Sequence, residues 1–166
     1  NNWDTSSVTD MSEMFDAFSR FNKQISNWDT SNVENMTKLL AWTSFNQSVN
    51  TWDTSSLKDM RLMFFTNGNF DQPLNNWDTS SVTDMYGVFT SATSFNQSLD
   101  DWNVSSVTNM HYMFGKISDT YSPYGAQSFD QNISMWCPNI NSEPTNFDLD
   151  SGFENETALQ PNWGSC

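Results

Sequence analysis

His111 is the only histidine in a chain of 166 residues, and that removes most of the catalytic arrangements the other side chains could complete. A zinc site built on two imidazoles has no second ligand of that type, and no Ser–His–Asp set is readable around Asn109-Met110-His111-Tyr112. His111 therefore reads as a solvated surface residue. Asp100 and Asp101 are adjacent carboxylates, the residue type that glycoside hydrolysis uses in pairs. Neighbours in an extended segment point to opposite faces, so these two do not converge on one bond. There is no Gly-rich phosphate loop. The expectation is a protein that is not an enzyme.

Two further groups could do chemistry. Asp4, Asp29, Asp53 and Asp78, then Asn103, recur in the string Asp-Thr-Ser-Ser or its variants. Stacked about 4.8 Å apart, such carboxylates repel unless hydrogen bonds or a cation compensate. The first reading is an Asx-turn, in which the side chain accepts the backbone N–H two residues on. The second is a calcium-lined acidic edge, although the loop lacks the ligand alternation and glycine of an EF-hand. No other metal or cofactor is expected. Cys137 and Cys166 form an even pair confined to one end, which reads as a disulfide and an oxidising compartment, with two free thiols as the alternative.

Composition narrows the partners. The 20 acids and 6 bases give a net charge of −14, which repels a phosphate backbone and an anionic membrane surface. No apolar run approaches the length of a membrane span, and no segment reads as a signal peptide. Residue 1 already lies inside a repeat, so a domain of a longer precursor is expected.

The elements that must position these residues follow from a repeat. Trp3, Trp28, Trp52, Trp77, Trp102 and Trp136 are separated by 25, 24, 25, 25 and 34 residues. A period in the twenties is the mark of stacked coils. Val8, Val33, Leu57, Val82 and Val107 share the period, as do Met11, Met36, Met60, Met85 and Met110. Phe15, Leu40, Phe64, Phe89 and Phe114 form a further column, and Phe21, Phe45, Phe70, Phe95 and Phe129 another. Columns that are apolar in every copy read as core. Trp42 lies outside the Trp column and is expected to be partly exposed. Within a coil, Gln24 to Trp28 and Ser31 to Met36 read as short strands. Met11-Ser12-Glu13-Met14-Phe15 has the i, i+3, i+4 apolar spacing of a helix. Asp10, Asn35, Asp59, Asp84 and Asn109 would cap these helices.

The repeated Trp-Asp-Thr-Ser-Ser-Val-Thr-Asp-Met…Met-Phe…Phe-Asn-Gln pattern resembles the BspA-type leucine-rich repeats, surface-protein repeats also known as a domain of unknown function in mycoplasma lipoproteins. The resemblance implies a right-handed solenoid on an exported or cell-surface protein that binds host or matrix molecules. The fold expected is thus an α/β repeat: a leucine-rich-repeat-like solenoid of about five to six coils over residues 1–136, with an insertion at about 115–128. A capping segment, 137–166, would be closed by Cys137 and Cys166.

The function expected is a secreted or cell-surface binding or adhesion module. Its surface would comprise Asn50, Asn75, Asn76, Asp100 and Asp101 before each Trp, together with Tyr121 and Tyr124 of the insertion. Those residues suit hydrogen bonding to a host or matrix protein or a glycan. The insertion could equally be cover for exposed core. Two alternatives are an ice-binding protein, from the ladders Thr5, Thr30, Thr54, Thr79 and Ser6, Ser31, Ser55, Ser80, Ser105, and a structural spacer that self-associates through an uncapped N-terminal coil.

Overall fold

The computed structural model of the chain describes residues 3–118, 120 and 122–164. Five coils begin at successive Trp residues and run over 3–27, 28–51, 52–76, 77–101 and 102–135, followed by a closing segment. Parallel bridges join Asp10, Asn35, Asp59, Asp84 and Asn109 in turn, one residue per coil.

Among the described residues there is no helix and no strand longer than an isolated bridge. The expected α/β repeat is therefore corrected, and with it the leucine-rich-repeat-like solenoid of strands and helices. The chain is instead a stack of coils built from turns. The reason lies in where the amides go. Met14 N–H donates to the Met11 carbonyl and Asp16 N–H to that of Glu13, but the alternate amides of Glu13 and Phe15 donate to Thr37 and Leu39 of the next coil. A helix would keep every donor within its own segment and leave the next coil unbonded. Alternation is set by residues with left-handed backbone: Glu13 (φ 57°), Lys38 (53°) and Leu62 (55°) form one column, continued by Gly87 (60°) and Tyr112 (60°). Such conformations cost on the order of 1–3 kcal/mol each where no glycine relieves them, and the cross-coil bonds offset that.

The expected strands are also turns. Trp28 N–H donates to Ile25 O at 3.2 Å, and the same i to i−3 bond recurs at Trp52, Trp77, Trp102 and Trp136. Val33 N–H likewise donates to Thr30 O. The expected helix caps become Asx-turns: the Asp10, Asn35, Asp59, Asp84 and Asn109 side chains accept the N–H two residues on at 2.7–3.2 Å.

The core is a set of continuous ring columns. Phe45, Phe70, Phe95 and Phe129 stack at centroid separations of 5.9–6.3 Å. Trp52, Trp77, Trp102 and Trp136 stack at 6.2–6.3 Å. These are offset-stacking distances. Each indole N–H also donates to the carbonyl three residues ahead of the Trp one repeat earlier: Trp52 to Ile25, Trp77 to Val49, Trp102 to Leu74 and Trp136 to Leu99. Phe would fill the column but not make that bond, which explains why the position is always Trp. Trp42 is 39% exposed, as its place outside the column suggests.

The threonine ladder is interior. Thr5, Thr30, Thr54 and Thr79 are buried, and the hydroxyls of the last three donate to the carbonyls of Asp53, Asp78 and Asn103 in the following coil. Of the two hydroxyl ladders on which the ice-binding alternative was read, the threonine one is thus interior, while Ser6, Ser31, Ser55, Ser80 and Ser105 stay at least partly exposed. Replacing Thr54 by Val leaves the Asp78 carbonyl without its donor and should cost about 1–3 kcal/mol in chemical denaturation. Ser55→Ala, at an exposed site, should cost less than about 0.5 kcal/mol.

The Phe-Asn-Gln words make a second ladder. The Asn46 side-chain oxygen accepts from Asp71 N–H and from Gln72 Nε2, Asp71 accepts likewise from Asn96 and Gln97, and Asn96 from Asp130 and Gln131.

The closing segment imitates a coil without its words. Tyr112, Phe114 and Lys116 N–H donate to Thr145, Phe147 and Leu149, and Asn146 and Asp150 have positive φ four residues apart, as Glu13 and Ala17 do. Phe147 and Phe153 pack edge-on against Phe114, and Trp163 packs edge-on against Phe147. Cys137 is disulfide-bonded. The expected Cys137–Cys166 closure falls on Cys166, outside the described residues; among the described residues, ring packing and the amide ladder close this end. At the opposite end, Phe15 and Phe21 are only partly buried, and Trp3 and Phe18 are 60% and 63% exposed.

Candidate functional site

The residues before each Trp come into register, and Asn50, Asn75 and Asn76 bind one another. Asn50 Nδ2 donates to Asn75 Oδ1 at 3.1 Å, and Asn50 Oδ1 accepts from Asn76 N–H at 3.0 Å. Asp100 accepts the Ser98 hydroxyl. Asn75, Asn76, Asp100 and Asp101 remain exposed. Tyr124 is not joined to them: its carbonyl accepts the Ser91 hydroxyl, and the adjacent Gly125 N–H donates to Asp150 of the closing segment. A Cβ on Gly125 would lie 2.7 Å from the Leu149 and Phe114 carbonyl oxygens, so this part of the insertion is packed against the end of the stack. Tyr121 lies outside the described residues.

The acidic column is made of Asx-turns. Each of Asp4, Asp29, Asp53 and Asp78 accepts both the N–H and the hydroxyl of the Ser two residues on. Those Ser bonds hold the four carboxyls below the usual aspartate range. Their contribution to stability is present above that range and is lost as pH falls through the lowered values. Among the described residues no group of three or more His, Cys, Asp or Glu could hold a metal ion. His111, expected as a free surface residue, accepts Thr145 N–H at Nδ1, 2.8 Å away, and so ties the last coil to the closing segment.

A different face carries the concave feature. A groove of about 350 Å³ crosses all five coils between Glu13 and Asn109, with Leu62 and Tyr86 in its lining. Its charges are paired: Lys38 Nζ lies 2.9 Å from Glu13, and Arg61 lies 2.7 Å from Asp59 and 3.9 Å from Asp84. Asp84 is fixed on both oxygens, by Tyr86 N–H at 2.9 Å and Asn109 Nδ2 at 3.2 Å. Thr37 hydroxyl donates to Asp59 at 3.1 Å. The Tyr86 ring meets the Tyr112 edge at 5.5 Å, and burial pushes its hydroxyl pKa up. The sequence does carry a signal for this face. The two residues after each Met are Ser12-Glu13, Thr37-Lys38, Arg61-Leu62, Tyr86-Gly87 and His111-Tyr112, so they vary in every copy while their neighbours repeat.

The model of one family, described as "Mycoplasma protein of unknown function, DUF285", matches residues 1–65 and 39–162. The chain belongs to this family. The two DUF285 matches overlap over 39–65, which a repeating chain produces because one model can be laid on it in more than one register. No curated protein and no solved structure matches the chain.

Among the described residues, the DUF285 chain buries one carboxyl outside its ladders. Asp148 occupies the position that Phe114 holds in the preceding coil, is 7% exposed, and accepts Gln160 Nε2. Burial, with repulsion from Glu143 and Glu154 added, pushes its pKa from 3.8 up to about 6. Between those values the folded chain holds a proton that the unfolded chain has released. This group's contribution to stability therefore falls as pH rises through that window and is constant above it. Asp148→Asn should be stabilised relative to the parent more at about pH 7.5 than at about pH 4.5. Thermal melts at both pH values check this, and an unchanged gap would contradict it.

Proposed function

We propose that this chain is a non-enzymatic binding module of a secreted or cell-surface protein, taking a host or matrix protein or a glycan. The finer resemblance to BspA-type surface repeats belongs to this reading. One observation carries it. The repeated polar letters are engaged within or between coils, while the columns after each Met vary from copy to copy and line a groove on a rigid frame. A stack with a fixed frame and a varied stripe suits recognition of an extended ligand. Purified chain should bind members of a glycan array or immobilised matrix proteins above a scrambled-stripe variant in which residues 37, 61 and 86 are exchanged among coils. Equal signals from the two would count against the proposal.

A second reading has an observation of its own. The first coil leaves Trp3 and Phe18 exposed, and the carbonyls of Asp10, Ser12, Met14 and Asp16 have no partner among the described residues. A face of this kind suits docking of a further coil or of a second copy. Sedimentation should show a concentration-dependent shift that Phe18→Asp weakens, and a monomer at all concentrations would sink this reading.

A further inference from the structure

We propose that the groove beside Tyr86 is a binding site for a neutral oligosaccharide, an inference that rests on the binding-module reading above. Charge selects the ligand class first. On a chain of net charge −14, the ionised side chains lining the groove are Glu13, Lys38, Arg61 and Asp84, two of each sign. Counting Asp59, which Arg61 faces at 2.7 Å, the groove and its edge carry three acids and two bases, a nearly neutral strip on an anionic surface. An anionic ligand meets no unopposed cation there, because Lys38 and Arg61 each face a carboxylate within 3 Å. A cationic ligand meets Glu13 already paired with Lys38, and Asp84 already facing Arg61 at 3.9 Å.

What the groove does offer is fixed hydrogen-bonding groups of both senses. Remaining Arg61 and Asn109 N–H groups donate, and the remaining lone pairs of Glu13 and Asp84 accept. Ion pairing and cross-coil bonds hold these groups in place, so little side-chain entropy is lost on binding. A sugar hydroxyl is both donor and acceptor and matches such a set. Leu62 and the Tyr86 ring supply an apolar surface for the C–H face of a pyranose, and the Tyr112 edge contact fixes the ring. A peptide adding itself as a strand would need free backbone groups. Here Lys38, Leu62 and Gly87 N–H already donate to Arg61, Tyr86 and His111. The volume is within the range of small-ligand sites.

The test uses chitotetraose, mannotetraose and maltotetraose as neutral probes, with sialyllactose and a heparin tetrasaccharide as anionic ones, titrated by NMR. At least one neutral probe should bind, with shifts at residues 37–38, 61–62 and 86, and the anionic probes should not. Tyr86→Ala should weaken that binding up to about tenfold, the value of a lost ring contact. Lys38→Ala, at a more exposed position, should weaken it several-fold, while Asn76→Ala and Asp101→Ala leave it unchanged. Retained binding in both groove variants, or loss in Asp101→Ala alone, would overturn the groove assignment while leaving the module reading intact. Binding to matrix protein but to no neutral probe would overturn the ligand class alone. Binding to neither would overturn both.

Discussion

Phe89→Ala should destabilise the chain by about 3–5 kcal/mol in urea or guanidinium denaturation, the range for removing a fully buried aromatic ring. Phe89 has no exposed surface and stands at a crossing of ring columns. Its centroid lies 5.6 Å from Phe64, 5.5 Å from Phe114, 4.1 Å from Phe95 and 6.1 Å from Trp102. The stack cannot close around the loss, because the coil backbones are held apart by their own hydrogen-bond ladder. Phe15→Ala removes the same side chain from the first coil, where it is partly buried and has a neighbouring coil on one side only. That change should cost no more than about 2 kcal/mol. Equal costs at the two positions would mean that neighbouring coils do not carry the stability.

Trp77→Ala should cost a similar 3–5 kcal/mol, but the companion change Trp77→Phe is more informative. The ring stacks on Trp52 and Trp102 at 6.3 Å each, and its N–H donates to Val49 O at 3.0 Å. Phe retains a ring in the column but removes one of the two donors to the buried Val49 carbonyl, which keeps Trp52 N–H. The expected cost is about 0.5–1.5 kcal/mol, the net value of one hydrogen bond. A fall in denaturation midpoint at unchanged slope would carry that cost. If Trp77→Phe is neutral, the indole N–H is not what keeps Trp at this position.

The two variants mark what was readable in the sequence. Ring columns follow from the period alone, so Phe89 and Trp77 could be placed in the core before any coordinates. The Asx-turns were readable as well, because Asp53 and Ser55 are two residues apart and their chemistry is local. The secondary structure was not. Met11, Met14 and Phe15 have helical spacing, but an alternation of right- and left-handed turns places the same residues inward. Nothing in the letters says that Glu13 N–H donates to Thr37 rather than within its own turn. The closing segment was hidden for a related reason. Pro144 and Asp148 stand where coils have Met and Phe, so the words vanish although the ladder through Thr145, Phe147 and Leu149 continues.

The candidate site shows the same division. Asn50, Asn75 and Asn76 look like free amides in a list of letters, yet their register across coils lets them satisfy one another. The groove depends on residues 24 to 25 apart meeting side by side, and its variable columns carry no motif. Repetition builds the frame of this DUF285 chain, and the places where it fails, beside Arg61 and Tyr86, supply the surface on which recognition is proposed.

The most direct test of this account is the scalar coupling across the hydrogen bond from Leu62 N–H, measured by NMR on labelled protein. The turn-built stack places that donor 2.8 Å from the Tyr86 carbonyl of the next coil. The account predicts a coupling from Leu62 nitrogen to Tyr86 carbonyl carbon. A coupling to Lys58 instead, the i−4 partner of a helix, would contradict it.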